Sequence, residues 1–190
     1  LNYQPFSRGT SKGIMHMDLQ TLFNLNDRVA VVTGGSRGIG KMIVEGYLNA
    51  GCARIYISAR KVDQIEATVA EYGDKVLGLP CDLSTVEGCE SLAAQIAERE
   101  EKVDILVNNA GAAWGADFGT VTDAQWDRVM DLNVKGLFFL TQALHPLMKK
   151  AATFERPGKV INIASIDGIK INPWQTYAYQ ASKAAVIHVT

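Results

Sequence analysis

Three polar residues late in the sequence have the types and spacing for proton transfer at a carbonyl. Tyr179 and Lys183 lie four residues apart and therefore share one face if the segment is helical. A lysine one turn from a tyrosine can lower the pKa of the phenol, and a serine hydroxyl such as that of Ser165 can hydrogen-bond a carbonyl. This set suits carbonyl reduction by a hydride, although Tyr-x-x-x-Lys alone is also common on ordinary helix faces. Tyr177 lacks such a lysine, because Ala181 lies four residues beyond it.

A glycine-rich turn provides a candidate cofactor site earlier in the chain. Gly34, Gly38 and Gly40 follow an apolar run and precede a helical pattern. Glycine permits a tight turn, close approach of the backbone to a pyrophosphate, and close packing of helix on strand. The N-terminus of the following helix offers free N–H groups to a phosphate. A plain loop is the alternative, but the strand–turn–helix context favours dinucleotide binding.

Two arginines indicate which dinucleotide is bound. An acidic residue about 20 positions past the turn would bind the ribose 2′-hydroxyl of NAD. The segment Ser58-Ala59-Arg60 occupies that place and has no carboxylate. Arg60, together with Arg37 inside the turn, can hold a 2′-phosphate through charge-assisted hydrogen bonds. The alternative is two solvated surface arginines; we favour NADP(H) as the cofactor.

Alternating strand and helix patterns must position these groups. Apolar runs predict strands at residues 29–32, 54–57, 76–79, 103–107 and 160–164. Helical patterns lie between them, at about 39–50, from a capping box at 63–66, from a second box at 84–87 to about 101, and from a third box at 122–125 toward Pro146; a last helix begins near Tyr177. This order predicts a doubly wound parallel sheet, the three-layer α/β/α Rossmann fold. Ligands of such sheets bind at the carboxyl ends of the strands, where the candidate residues lie.

Composition and charge exclude several other classes of protein. The chain has 190 residues, of which 47% are hydrophobic and 21% charged, so it can bury the core of one domain. A net charge of -1 argues against a nucleic-acid partner, and no apolar run reaches the ~18 residues of a membrane span. Cys52, Cys81 and Cys89 form no metal-ligand pattern with one another or with histidine. We therefore expect no metal, reduced thiols and a cytoplasmic location.

The two ends of the sequence differ in character from its middle. Residues 1–26 are predicted to be a partly disordered leader, and residues 27–190 an NADP-binding Rossmann domain. The last helical pattern runs to Thr190 without a stop signal. We therefore expect a domain that is truncated after the catalytic helix and incomplete at its C-terminus.

In combination, these motifs resemble the classical short-chain dehydrogenase/reductase family. The resemblance runs from about Asp27 to the C-terminus. It rests on the motifs Thr33-Gly34-x-x-x-Gly38-x-Gly40, Asn108-Asn109-Ala110-Gly111, and Tyr179-x-x-x-Lys183 with Ser165 upstream. Within the family, residues 31–40 and 106–115 are most similar to 3-oxoacyl-[acyl-carrier-protein] reductases of the branch associated with rhamnolipid synthesis.

The resemblance implies a role for each matching residue. Tyr179 would be the general acid, Lys183 would favour its ionisation and bind the nicotinamide ribose, and Ser165 would orient the carbonyl. Asn133 would hold a water in a proton relay to the lysine, and Asp82 would contact the adenine. The implied cofactor-binding set is Gly34, Ser36, Arg37, Gly38, Ile39, Gly40, Arg60, Asp82, Leu83, Asn109, Ala110, Gly111, Tyr179 and Lys183.

The resemblance also implies a substrate and an assembly. The expected reaction is NADPH-dependent reduction of a 3-oxoacyl thioester, with Trp114, Ile169, Ile171 and Trp174 as candidates for an apolar pocket wall. Another secondary alcohol, such as a sugar or steroid, is the alternative, as is an incomplete chain that binds NADP without turnover. Family members usually form dimers or tetramers, so we expect a homo-oligomer once the chain is complete. The family continues with further strands and a substrate lid, which the sequence lacks.

Overall fold

A single parallel sheet lies at the centre of the computed structural model, which describes residues 22–190. Its strands follow the order β3-β2-β1-β4-β5, and every neighbouring pair is parallel. This confirms the predicted doubly wound sheet. Most of the predicted leader lies outside the described residues. The strands are β1 (Val29–Thr33), β2 (Arg54–Ala59), β3 (Val76–Pro80), β4 (Ile105–Asn108) and β5 (Lys159–Asn162).

Helices cross over between successive strands, as parallel pairing requires. A single turn of π-helix (Asp131–Gly136) separates the fourth helix from the fifth, and short 3₁₀ turns cover Phe118–Thr120 and Ile166–Gly168. The α-helices are α1 (Gly38–Asn49), α2 (Val62–Tyr72), α3 (Val86–Ala97), α4 (Asp123–Met130), α5 (Leu137–Ala151) and α6 (Tyr177–Val189).

The predicted capping box at residues 63–66 is wrong. Helix α2 begins two residues earlier than that box predicts, at Val62, with Lys61 in the N-cap position and no side-chain cap. Asp63 lies inside the first turn, where its negative charge suits the positive end of the helix dipole.

The predicted capping box at residues 84–87 is also wrong, because α3 has a single side-chain cap one residue later and its N3 residue, Gly88, has no side chain to complete a box. Thr85 is the N-cap of α3, and its hydroxyl accepts a hydrogen bond from the Gly88 N–H. Ser84 does not cap the helix, because its N–H and hydroxyl both donate to the Asp82 carboxylate. The third box is confirmed, since Thr122 and Gln125 bond reciprocally at the start of α4.

Side chains of β1 alternate between two apolar layers, one on each face of the sheet. Val31 faces a cluster formed with α3 and α5, and Val32 faces a cluster formed with α1 and α2. Both valines are fully buried, as expected for the central strand of a parallel sheet. This packing forms the predicted three layers and fixes the carboxyl ends of the strands along one edge.

Strand β5 differs from the rest of the sheet in its exposure. Val160 and Ile161 are exposed, whereas their partners in β4, Leu106 and Val107, are fully buried.

None of the helices within residues 22–190 has the length and the apolar composition of a membrane span.

Candidate active site

A cavity of about 230 Å³ opens at the carboxyl ends of β1, β2 and β3. It brings together eight residues of the predicted cofactor set: Gly34, Ser36, Arg37, Arg60, Asp82, Leu83, Ala110 and Gly111. Six other lining residues were not predicted: Ser58, Ala59, Lys61, Gln64, Cys81 and Leu132. Lys61 could have been predicted from the sequence, because it directly follows Arg60. It adds a third cation to the two arginines. The cavity therefore has the position and charge expected of a dinucleotide phosphate site.

The glycine turn carries left-handed backbone where the phosphate site requires it. Gly34 has a φ of 64° and Gly38 a φ of 53°, a region that glycine adopts without steric cost. A Cβ at Gly40 would lie 2.2 Å from the Gly34 carbonyl oxygen, so α1 can approach the turn only because residue 40 is glycine. Ile39 lies between these glycines, and its side chain is exposed.

Asn109 fastens the glycine turn to the end of β4. Its side-chain amide donates to the carbonyl oxygens of Thr33, at 2.9 Å, and Gly34, at 3.3 Å. The Thr33 hydroxyl accepts in return from the backbone N–H groups of Asn109 and Ala110. The side-chain amide of Asn109 therefore stabilises the glycine turn without lining the cavity itself.

Alanine substitutions at two glycines of α1 should change the stability of the protein in opposite directions. Gly40→Ala places a methyl group within 2.5 Å of the Asn109 amide and closer still to Gly34, and overpacking of this kind costs about 1–3 kcal/mol. Gly46→Ala meets nothing within 4 Å and gains about 0.5–1 kcal/mol of helix stability. Thermal unfolding should show Tm falling in the first variant and rising in the second; equal shifts would contradict this account of the turn.

One buried polar atom of the cavity lining, the Ser58 hydroxyl oxygen, is left for a ligand to bond. The buried Ser58 hydroxyl lines the cavity without a hydrogen bond of good geometry, beside a weak interaction with the Cys81 thiol. Burial raises the pKa of Cys81 to about 11, so this thiol stays protonated. Burial would also raise the pKa of Asp82, but hydrogen bonds from Ser84 and the charge of Arg60 outweigh it and lower that pKa.

Lys183 lies on α6, outside the lining of the cavity. Only 6% of the residue is exposed, and its Nζ donates to the Ile163 carbonyl oxygen at 2.6 Å. The Nζ also lies 5.7 Å from the centre of the Tyr179 ring, so the predicted pair does share one face of the helix. Burial lowers the pKa of Lys183, because a desolvated ammonium group is disfavoured.

The π-helical turn directs Asn133 toward the same region. Its Oδ1 accepts from the Ala112 N–H at 2.8 Å, and its Nδ2 donates to the Ala112 carbonyl and to the Ser182 hydroxyl, both at 2.9 Å. A Cβ at Gly111 would lie 3.3 Å from this Oδ1 and 3.8 Å from the Lys183 Nζ. Asn133 therefore connects the loop after β4 to the helix that carries Tyr179 and Lys183.

Ser165 stands at the start of the 3₁₀ turn that follows β5. Its hydroxyl accepts a hydrogen bond from the Asp167 N–H at 3.2 Å, and it is half-buried. A Cβ at Gly168 would lie 2.6 Å from the backbone of Lys183, so glycine is required for this turn to reach α6. Sequence reasoning missed Gly168; its spacing of three residues after the serine was the available signal.

The predicted apolar wall does not form an enclosed surface. Ile169, Ile171 and Trp174 are 70% to 88% exposed. Trp114 is less exposed and lies under the Arg128 guanidinium, 5.3 Å from the ring centre. Apolar side chains on loops form a pocket wall only when another segment packs against them. Among residues 22–190, no segment buries Ile169, Ile171 or Trp174.

Within residues 22–190, no group of three or more histidine, cysteine, aspartate or glutamate side chains is placed to hold a metal ion. The three cysteines are free.

Comparison with known proteins agrees with this geometry. The family model described as short chain dehydrogenase matches residues 28–190. A rhamnolipids biosynthesis 3-oxoacyl-[acyl-carrier-protein] reductase of Pseudomonas aeruginosa is 46% identical over 167 residues, which cover 86% of this chain and 64% of that protein. A 2-dehydro-3-deoxy-D-gluconate 5-dehydrogenase of Dickeya dadantii is 34% identical over 172 residues, covering 88% of this chain and 65% of that protein. The chain thus spans less than two thirds of the length of these relatives.

A solved structure shows the same arrangement of elements. The active-site complex of Pseudomonas aeruginosa RhlG with NADP superposes with a TM-score of 0.81 at 44% sequence identity, covering 88% of this chain and 66% of that one. The parallel sheet, the glycine turn and the Tyr-x-x-x-Lys helix therefore have a common explanation. The chain belongs to the short-chain dehydrogenase family.

Proposed function

We propose that this protein uses NADPH to reduce a carbonyl group to a secondary alcohol, and that its substrate is a 3-oxoacyl thioester. The observation that carries the proposal is the buried Lys183 beside Tyr179. The Nζ of Lys183 would lie 3.8 Å from a Cβ at Gly111, and Gly111 lines the cavity that also holds Arg37 and Arg60. A proton donor and a phosphate site are thereby arranged along one sheet edge, as hydride transfer from NADPH requires. The name of the Pseudomonas aeruginosa reductase supports the thioester substrate.

Each residue of the site has a distinct part in the proposed reaction. NADPH, when bound, supplies the hydride. Arg37, Arg60 and Lys61 attract its 2′-phosphate, and the glycine turn receives the pyrophosphate. Tyr179 donates a proton to the carbonyl oxygen, which Ser165 orients by a hydrogen bond.

Lys183 and Asn133 support the proton donor. The ammonium group of Lys183 stabilises the tyrosinate that forms when Tyr179 loses its proton. Both amide protons of Asn133 are already used by Ala112 and Ser182. We propose that Asn133 positions the catalytic helix and that a relay water, if bound there, accepts no hydrogen bond from this amide.

A chain-length series tests the thioester proposal. If the acyl chain is buried, each added methylene contributes ~0.8 kcal/mol, so kcat/KM should rise about fourfold per methylene until the pocket is full. Absorbance of NADPH would be followed with 3-oxoacyl thioesters of increasing length, and with a keto sugar acid as the control. A flat response, or preference for the sugar acid, would instead favour the second candidate, a sugar-acid dehydrogenase like the Dickeya dadantii relative.

We further propose a homo-oligomer in the cytoplasm. Phe138 on α5 and Val189 at the end of α6 are exposed and line one surface depression together with Val134, an apolar surface that a second copy would cover. Free thiols at Cys52, Cys81 and Cys89 support a reducing compartment. Sedimentation of the full-length protein distinguishes a dimer or tetramer from a monomer.

A further inference from the structure

Two surface segments that meet at the start of α6 are hydrogen-bonded to each other through a single residue. The first, called here the β4 loop, comprises residues 112–121; the second, called the entry segment, comprises residues 172–176 and leads into α6. The backbone oxygen of Gln175 accepts from the Ala116 N–H at 3.1 Å. Its side-chain Oε1 accepts from the Phe118 N–H, also at 3.1 Å. Gln175 thus binds two amide groups of the β4 loop at once.

The entry segment is itself held firmly against the catalytic helix. The side-chain amide of Gln180, next to Tyr179, donates to Asn172 Oδ1 at 3.3 Å, to the Trp174 carbonyl at 3.1 Å and to Thr176 Oγ1 at 3.2 Å. The position of the entry segment relative to Tyr179 is therefore fixed by α6, and Gln175 passes that position on to the β4 loop.

The first part of the β4 loop has restraints of its own, because Ala112 is hydrogen-bonded to Asn133 and the Trp114 ring lies under Arg128. Trp114, Asp117 and Phe118 are exposed, and the Phe118 ring meets the Tyr177 ring edge-on, with 5.5 Å between their centres. Segments with little buried apolar surface open at low free-energy cost, so individual hydrogen bonds decide whether they stay ordered. Within residues 115–121, both hydrogen bonds to another segment are made with Gln175, so this residue contributes a large share of what holds that part of the loop.

We propose that Gln175 is a positioning residue, which holds the β4 loop against the entry segment and so sets the width of the substrate entrance beside Tyr179. This inference rests on the proposed reductase function and adds a determinant of substrate binding to it. A substrate that needs the closed loop binds with an apparent affinity reduced by the fraction of molecules that are open. Losing Gln175 should therefore raise KM and leave kcat nearly unchanged.

A matched pair of variants separates the hydrogen bond from the bulk of the side chain. Gln175→Met keeps the length but loses the acceptor oxygen, whereas Gln175→Glu keeps an acceptor. Gln142→Met makes the same change on the exposed side of α5, away from both segments, and serves as the control.

Amide hydrogen exchange provides a readout that needs no substrate. The Ala116 N–H bonds to the backbone of Gln175, so no variant removes its acceptor directly. If the side chain holds the whole loop, Gln175→Met should make exchange at Ala116 about fivefold faster, the equivalent of one net hydrogen bond. Gln175→Glu and Gln142→Met should leave exchange near that of the parent. Unchanged exchange in Gln175→Met overturns the proposal.

Steady-state kinetics then test the entrance. KM for the 3-oxoacyl thioester should rise in Gln175→Met by up to about fivefold and recover in Gln175→Glu, with NADPH affinity unchanged in both. Faster exchange at Ala116 without a rise in KM would overturn the entrance role. If the parent protein reduces no thioester or ketone, the proposed function fails, and the exchange at Ala116 still decides whether Gln175 holds the loop.

Discussion

Replacement of Tyr179 by phenylalanine should lower turnover by about 10²–10⁴-fold, the usual contribution of a general acid. The phenol oxygen is the only group removed, so the ring remains one turn from Lys183 on α6. NADPH affinity should stay near that of the parent, because the cavity that carries Arg37 and Arg60 does not include Tyr179. Single-turnover rates and fluorescence titration of NADPH measure the two quantities on the complete protein.

Tyr177 provides the matched control. Its ring packs edge-on against Phe118, a contact that phenylalanine preserves. Tyr177→Phe should therefore change turnover little. If Tyr177→Phe abolished turnover and Tyr179→Phe did not, the assignment of the proton donor would be wrong.

The charge of Lys183 beside Tyr179 predicts that the rate of reduction depends on pH. Burial lowers the pKa of Lys183 below the 10.5 of a free lysine, so its positive charge is lost at a lower pH than usual. The Lys183 charge stabilises the tyrosinate that forms during reduction, so its loss slows the reaction. The rate of ketone reduction should therefore fall as the pH rises through the alkaline range below 10.5.

Replacement of Arg60 by aspartate should weaken NADPH binding by roughly 10- to 100-fold and leave NADH binding nearly unchanged. The loss of a charge-assisted hydrogen bond costs about 1.5–3 kcal/mol, and only NADPH carries the 2′-phosphate that makes it. Arg37 and Lys61 remain in the cavity wall, so we expect weakened rather than abolished binding. Calorimetric titration of both cofactors measures the change.

Arg99→Asp is the control for the change of charge. Arg99 lies just past the end of α3 and does not line the cavity, yet the substitution alters the net charge by the same amount. It should affect neither cofactor. Equal affinities of the parent protein for NADPH and NADH would contradict the assignment of Arg37 and Arg60 to a 2′-phosphate site.

Much of the fold follows from local features of the sequence. The strands of this parallel sheet contain continuous apolar runs, which is why all five were predicted within a few residues of their observed bounds. The first residue of a helix is harder to predict than a strand, because a Ser or Asp three residues before a Glu also occurs where another residue is the N-cap. At the start of α3, Ser84 instead bonds to Asp82, and this leaves Thr85 as the cap.

The candidate site divides in the same way. By itself, the sequence determined which chemistry-bearing residues follow each strand, since parallel strands bring their carboxyl ends to one edge. Only the tertiary structure decided that Gly168 touches the backbone of Lys183, that Asn133 joins the loop after β4 to α6, and that Gln175 binds Ala116 and Phe118. The physical reason is that these contacts join residues distant in the chain, and their distances depend on how helices and loops pack on the finished sheet.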